Sequence, residues 1–187
     1  NNEFDTIYHE HRNFFSVSSL NTLASNIGLH LIDVVKGTIH GGSNIFVFST
    51  DAECPARIKS YMDWERIQGL YDYDTYKNWA AKAKQTVNDL AIVIDAQRKA
   101  HNRLIVGYGA PAKGNTLLNF GNITMDFIID DNPLKQNKYT PGMSIPVVPV
   151  EHLQKFVGRD ICFVPLAWNF FDEIVGRIKA VRNNSED

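Results

Sequence analysis

Leu104-Ile105-Val106-Gly107-Tyr108-Gly109-Ala110-Pro111-Ala112-Lys113-Gly114-Asn115 is the stretch that decides the fold. Three apolar residues, 104–106, read as a buried strand. Closely spaced glycines then force a turn, and residues 112–120 read as a helix stopping at Gly121. Pro111 suits the first helical turn, where its missing N–H costs nothing. A second strand over 127–129 ends in Asp130-Asp131-Asn132-Pro133. Strands over 144–148 and 161–164 follow, with a short helix at 150–156 between them and a closing helix at 170–181. Strands alternating with helices predict a mostly parallel sheet covered on both faces, a small Rossmann-like α/β domain.

Taken literally, Gly107, Gly109 and Ala112 match G-x-G-x-x-A, with Asp130 near the ~20-residue spacing of a ribose-binding acid. Small residues let backbone approach a diphosphate, and a helix N-terminus turns N–H groups and positive partial charge toward it. Lys113 adds a mobile cation. Gly107, Gly109, Ala110, Lys113 and Asn115 are therefore candidate contacts for a diphosphate, and a tight packing turn is the alternative. Pro111 and Lys113 sit where a dinucleotide would need bare backbone.

Upstream, residues 74–101 contain no Gly or Pro, and Tyr76, Trp79, Ala83, Val87, Leu90 and Ile94 fall at helical spacing. A short helix fits 56–67. Runs at 30–35 and 44–48 flank the glycine-rich loop His40-Gly41-Gly42-Ser43 and predict an antiparallel hairpin, since no crossover helix separates them. Residues 16–28 read as a helix capped by Ser18 or Ser19 and stopped by Gly28. The organisation expected is residues 1–52 as helix plus hairpin, 53–73 as linker, and 74–187 as the Rossmann-like domain.

Composition narrows the function. The 187 residues carry 19 basic and 21 acidic side chains, a net charge of −2, which excludes a strongly basic nucleic-acid coat. No run of ~18 apolar residues could span a membrane. The polar opening is no signal peptide, and two distant cysteines, Cys54 and Cys162, form neither a disulfide framework nor a zinc site. A reducing, cytoplasmic setting is expected.

Tyr8-His9-Glu10-His11 concentrates proton-moving groups, and His40 with Gly41, Gly42 and Ser43 could approach a ligand closely. His9, His11 and His40 as metal ligands are a weaker reading, because an i, i+2 pair points to opposite faces of a strand.

Together, Phe4 to His11, Phe15-Ser16, His40 to Ser43, Gly107 to Asn119, Asp131 to Gln136 and Pro141-Gly142 closely resemble the C-terminal portion of the S-adenosylmethionine-dependent nucleotide-sugar C-methyltransferases. The resemblance runs from residue 4 to about 173, departing at Ile45, where a basic residue is usual, and at Asn137, where glycine is common. It implies that the helix and hairpin are the tail of a class I methyltransferase domain, and that the chain is a C-terminal part, inactive alone. The donor site, and zinc held by cysteines, would then lie in a preceding segment. The implied chemistry is C-methylation of a 4-keto deoxysugar carried on a nucleoside diphosphate. His11 would be the base that forms an enolate, with Tyr8 and Glu10 as its partners. Self-association through an unpaired edge of the hairpin is a further expectation. Two other readings stand beside this one: a non-catalytic sugar-nucleotide-binding module and an NAD-dependent oxidoreductase.

Overall fold

The computed structural model describes residues 3–37, 43–51 and 53–182. Contacts divide the chain into two compact units. Among the described residues, 3–11 join 82–182 in one, and 12–81 form the other. This division cuts across the boundary expected at residue 52.

In the unit of residues 12–81, α1 (Val17–Ser25) leads into the antiparallel hairpin of β1 (His30–Gly37) and β2 (Ser43–Ser49), then α2 (Ala56–Ile67). The cap of α1 is Ser16, not Ser18 or Ser19. Its side chain accepts from Ser19 N–H while the Ser19 hydroxyl accepts from Ser16 N–H, a reciprocal capping box. Leu31, Val34, Val17 and Ile58 form the core, and Val35, Ile45 and Val47 lie on the exposed side of the hairpin.

Glu65 of α2 fixes α1 in place. Its Oε1 accepts from Val17 N–H at 2.6 Å, and its Oε2 from Ser18 N–H at 3.0 Å and the Tyr71 hydroxyl at 3.1 Å. An anion thereby meets the positive end of a helix. Burial acts to raise the carboxyl pKa, but the hydrogen bonds from Ser18, Val17 and Tyr71 outweigh it and hold it below the ordinary 4.5. A depressed folded pKa stabilises above the unfolded value, and that contribution disappears as pH falls through the folded value. Glu65→Gln is expected to destabilise this unit by about 1–2 kcal/mol at pH 7. Circular-dichroism melts should show the difference from wild type shrinking toward pH 3. An equal gap at both pH values would remove the electrostatic explanation.

The other unit is a three-layer sandwich. The end of α3 (Tyr73–His101) feeds β3 (Leu104–Tyr108). Then come α4 (Ala112–Gly121), β4 (Phe127–Ile129), β5 (Lys138–Tyr139), β6 (Pro146–Val148), β7 (Ile161–Pro165) and α5 (Phe171–Arg182). The sheet order is β5-β6-β4-β3-β7, parallel throughout except for the antiparallel edge β5. Side-chain alternation explains the layers. Ile105 and Ile128 point toward Val87 and Ile94 of α3 and Leu118 of α4. Val106, Tyr108, Phe127 and Ile129 point toward the 3-10 turn Val150–Phe156 and toward Ile174 of α5. Ile105, Val106, Ile128 and Ile129 have no measurable exposure, and full burial of such side chains is worth about 1.5–3 kcal/mol each.

The expected elements recur with local corrections. Residues 150–156 wind as a 3-10 helix, and β6 begins at Pro146 because Ser144 takes φ +53 in the preceding turn. No helix among the described residues is long and apolar enough to cross a membrane.

Candidate active site

Chain direction creates a crevice here. From β3 the sheet is extended one way by β4 and β6 and the other way by β7, so loops leave the carboxyl ends of β3 and β7 in opposite senses. Open α/β sheets bind ligands at such a switch point. A cleft of about 380 Å³ lies beside the loop after β3, between α4 and the β4–β6–β5 side of the sheet, within the usual range for small-molecule sites. Its floor is apolar, from Leu118, Ile128, Val147 and Leu166. Its rim carries Asn115, Lys135, Lys138, Tyr139 and Thr140. Pro111 caps α4 without a side-chain acceptor, so the helix presents its positive end to the cleft.

The glycines serve close packing inside the protein. A Cβ on Gly107 would lie 2.9 Å from Ile128 Cγ1 and from Met125 Sδ. Gly109 has φ +81, and a Cβ there would lie 2.7 Å from that of Ala167. Asp130 is buried, accepting from Ala110 N–H at 2.7 Å, Asn132 N–H at 2.8 Å and Lys135 Nζ at 3.2 Å. Lys135 also donates to the Ala110 carbonyl at 3.0 Å. The acid that the dinucleotide reading assigns to a ribose therefore holds the loop, and its carboxylate is engaged by the protein.

The N-terminal segment reaches this same cleft. Tyr8 and His9 line it beside Ala110 and Pro111. The Tyr8 and His11 rings lie 4.1 Å apart, tilted by 35°. His11 Nδ1 is 2.8 Å from the Thr6 carbonyl. A carbonyl only accepts, so Nδ1 carries the proton, and in the neutral ring the lone pair resides on Nε2. Glu10 lies 3.9 Å from His9, and both side chains are well exposed.

The remaining candidates are dispersed. Asn115 and Ala110 line the cleft. Lys113 is directed elsewhere, with Nζ 4.6 Å above the Trp168 ring and 3.3 Å from Asn169 Oδ1. Ser43 opens β2 opposite Gly37 in the other unit. His40, Gly41 and Gly42 lie outside the described residues. Among the described residues no three His, Cys, Asp or Glu side chains cluster to hold a metal ion.

Sequence reading did not pick out Lys135, Lys138, Tyr139 or Trp168. The run Asp131-Asn132-Pro133-Leu134-Lys135, directly after a strand end, was the available signal for the first of them. On the far side of the sheet, the Tyr108 hydroxyl donates to Asp131 at 3.2 Å, and Asp131 pairs with Arg177 at 2.7 Å. Burial and the Asp131 charge push the Tyr108 phenol up to about 12, so it stays protonated at neutral pH and ties the end of β3 to the Asp131–Arg177 pair.

Comparison with known proteins agrees with this architecture. The chain is 35% identical over 194 aligned residues, 98% of its length, to C-methyltransferase NovU of Streptomyces niveus. It spans 44% of that relative's length. Residues 38–186 match the family described as C-methyltransferase C-terminal domain. The chain therefore belongs to the C-methyltransferase C-terminal domain family.

Proposed function

We propose that this chain is the substrate-holding C-terminal half of an enzyme that C-methylates a nucleoside-diphosphate keto-deoxysugar, with His11 as the base. One observation carries the reading: the Tyr8–His11 segment belongs to the same unit as the loop after β3, with Tyr8 and His9 lining the cleft and the His11 ring against that of Tyr8. Apolar floor, cationic rim and helix N-terminus suit an anionic nucleotide sugar.

The chemistry follows from the groups present. Nε2 of His11 takes the proton from the carbon beside the ketone. The C–H electron pair becomes the new carbon–carbon π bond, and the carbonyl π pair moves onto oxygen. Tyr8 donates a hydrogen bond to that enolate oxygen, where charge develops. S-adenosylmethionine, bound outside the described residues, supplies the methyl group from a sulfonium centre. On this reading the helix and hairpin within residues 12–52 close a class I methyltransferase domain.

The test is calorimetric titration of the chain with thymidine or uridine diphosphate and, separately, with NAD. A nucleoside diphosphate should bind, and Lys138→Glu at the cleft rim should weaken it about tenfold, or 1.4 kcal/mol. Preferential NAD binding would return the site to an oxidoreductase. Unchanged affinity in the Lys138 variant would place the nucleotide outside this cleft.

A further inference from the structure

We infer that Trp168 is a positioning residue for His11, fixing through Asp5 and Thr6 which ring nitrogen carries the lone pair. The inference rests on the proposed role of His11 as base. Trp168 lies in the 3-10 turn Trp168–Phe170 that follows β7. Its indole Nε1–H donates to Asp5 Oδ2 at 3.0 Å, across 163 residues of sequence. Lys113 stands over the same ring, so one indole joins the N-terminal segment to the first turn of α4.

Asp5 belongs to a single 3-10 turn, Phe4–Thr6. A lone turn of this kind has no stability of its own. Among the contacts that hold it are the Asp5–Trp168 hydrogen bond and Phe4, whose ring lies 5.6 Å from that of Phe120 and packs on the α3–α4 side of the core. Phe4 supplies adhesion without direction. The indole N–H is directional, and it fixes the Asp5 carboxylate. The last residue of the turn, Thr6, presents the carbonyl that receives the Nδ1 proton of His11. Its hydroxyl donates back to the Glu3 carbonyl at 2.8 Å, holding the turn closed. The order of contacts is therefore Trp168 to Asp5, the turn to Thr6, and Thr6 to the imidazole. A base must have both the right geometry and the right tautomer.

Nitrogen-15 correlation spectra of the 187-residue chain report the tautomer directly. Wild type and Asp5→Asn, whose amide oxygen still accepts from the indole, should show the proton on Nδ1 of neutral His11. Trp168→Phe and Asp5→Ala should lose that preference and give a mixed population, while amide-exchange protection of β3 and β4 stays as in wild type. Asp5→Ala leaves the core untouched, so it decides the matter if Trp168→Phe folds poorly. Retention of the Nδ1–H tautomer in Asp5→Ala overturns the inference. In the complete methyltransferase, Trp168→Phe should lower kcat about tenfold with KM for the nucleotide sugar unchanged. Full turnover in His11→Asn would instead remove the base assignment, and would leave the tautomer coupling standing.

Discussion

His11→Asn in a methyltransferase containing these residues is expected to lower kcat by about 10²–10⁴-fold, the usual contribution of a positioned general base. Affinity for the nucleotide sugar should be retained. Asparagine is the informative substitution. Its amide nitrogen occupies roughly the place of Nδ1 and can still donate to the Thr6 carbonyl, so the local fold has no reason to change. What it removes is Nε2, the atom that receives the proton. Equilibrium binding should therefore be near normal while single-turnover methylation is nearly abolished. Exchange of the substrate's acidic proton with deuterated solvent, followed by NMR, isolates the step. Exchange at the wild-type rate in the asparagine variant would assign proton removal to another group.

Asp130→Ala should be the most damaging single change to the loop after β3. The carboxylate is buried and accepts from two backbone amides and from Lys135. Removing one partner of a buried charge pair costs about 3–5 kcal/mol when both ions are desolvated. The Lys135 side chain is 42% exposed and can be solvated again, so about 2–3 kcal/mol is the better expectation after that screening. Asp131→Ala, which breaks the half-exposed pair with Arg177 and removes the acceptor of the Tyr108 hydroxyl, should cost less, because solvent screens that pair. Urea unfolding followed through the strands of this unit provides the comparison. Equal costs for the two substitutions would show that Asp130 does not hold the loop. The same variant separates two chemistries, because an acid that reads a ribose can be removed with little effect on the fold.

Local pattern made most of the fold legible. Helical spacing along residues 83–94, glycine stops and the strand–turn–helix signature of residues 104–121 depend on neighbours in sequence, and each of these elements is present. Strand β5 escaped because two exposed residues, Lys138 and Tyr139, carry no periodicity, and only pairing with β6 makes them a strand. The Ser16 cap escaped because Ser16, Ser18 and Ser19 are equivalent by composition, and geometry selects one. The cleft was half legible. Its motif residues stood out, but the engagement of Asp130 by Lys135 and the attachment of Asp5 to Trp168 depend on contacts that no local pattern encodes. Lys113 shows the same limit: its charge was plain, and its position over an indole 55 residues downstream was not.

The bond between Asp5 and Trp168 also has a consequence for the order of events during synthesis. The segment bearing His11 leaves the ribosome before the residues that fasten it. At about 5–20 residues per second, some 10–30 s of elongation separate the two partners. Through that interval residues 12–81 can assemble their own core, while Asp5 of the turn Phe4–Thr6 lacks its partner until the end of β7 has emerged. The histidine proposed as the base is thus translated well before the residue that orients it.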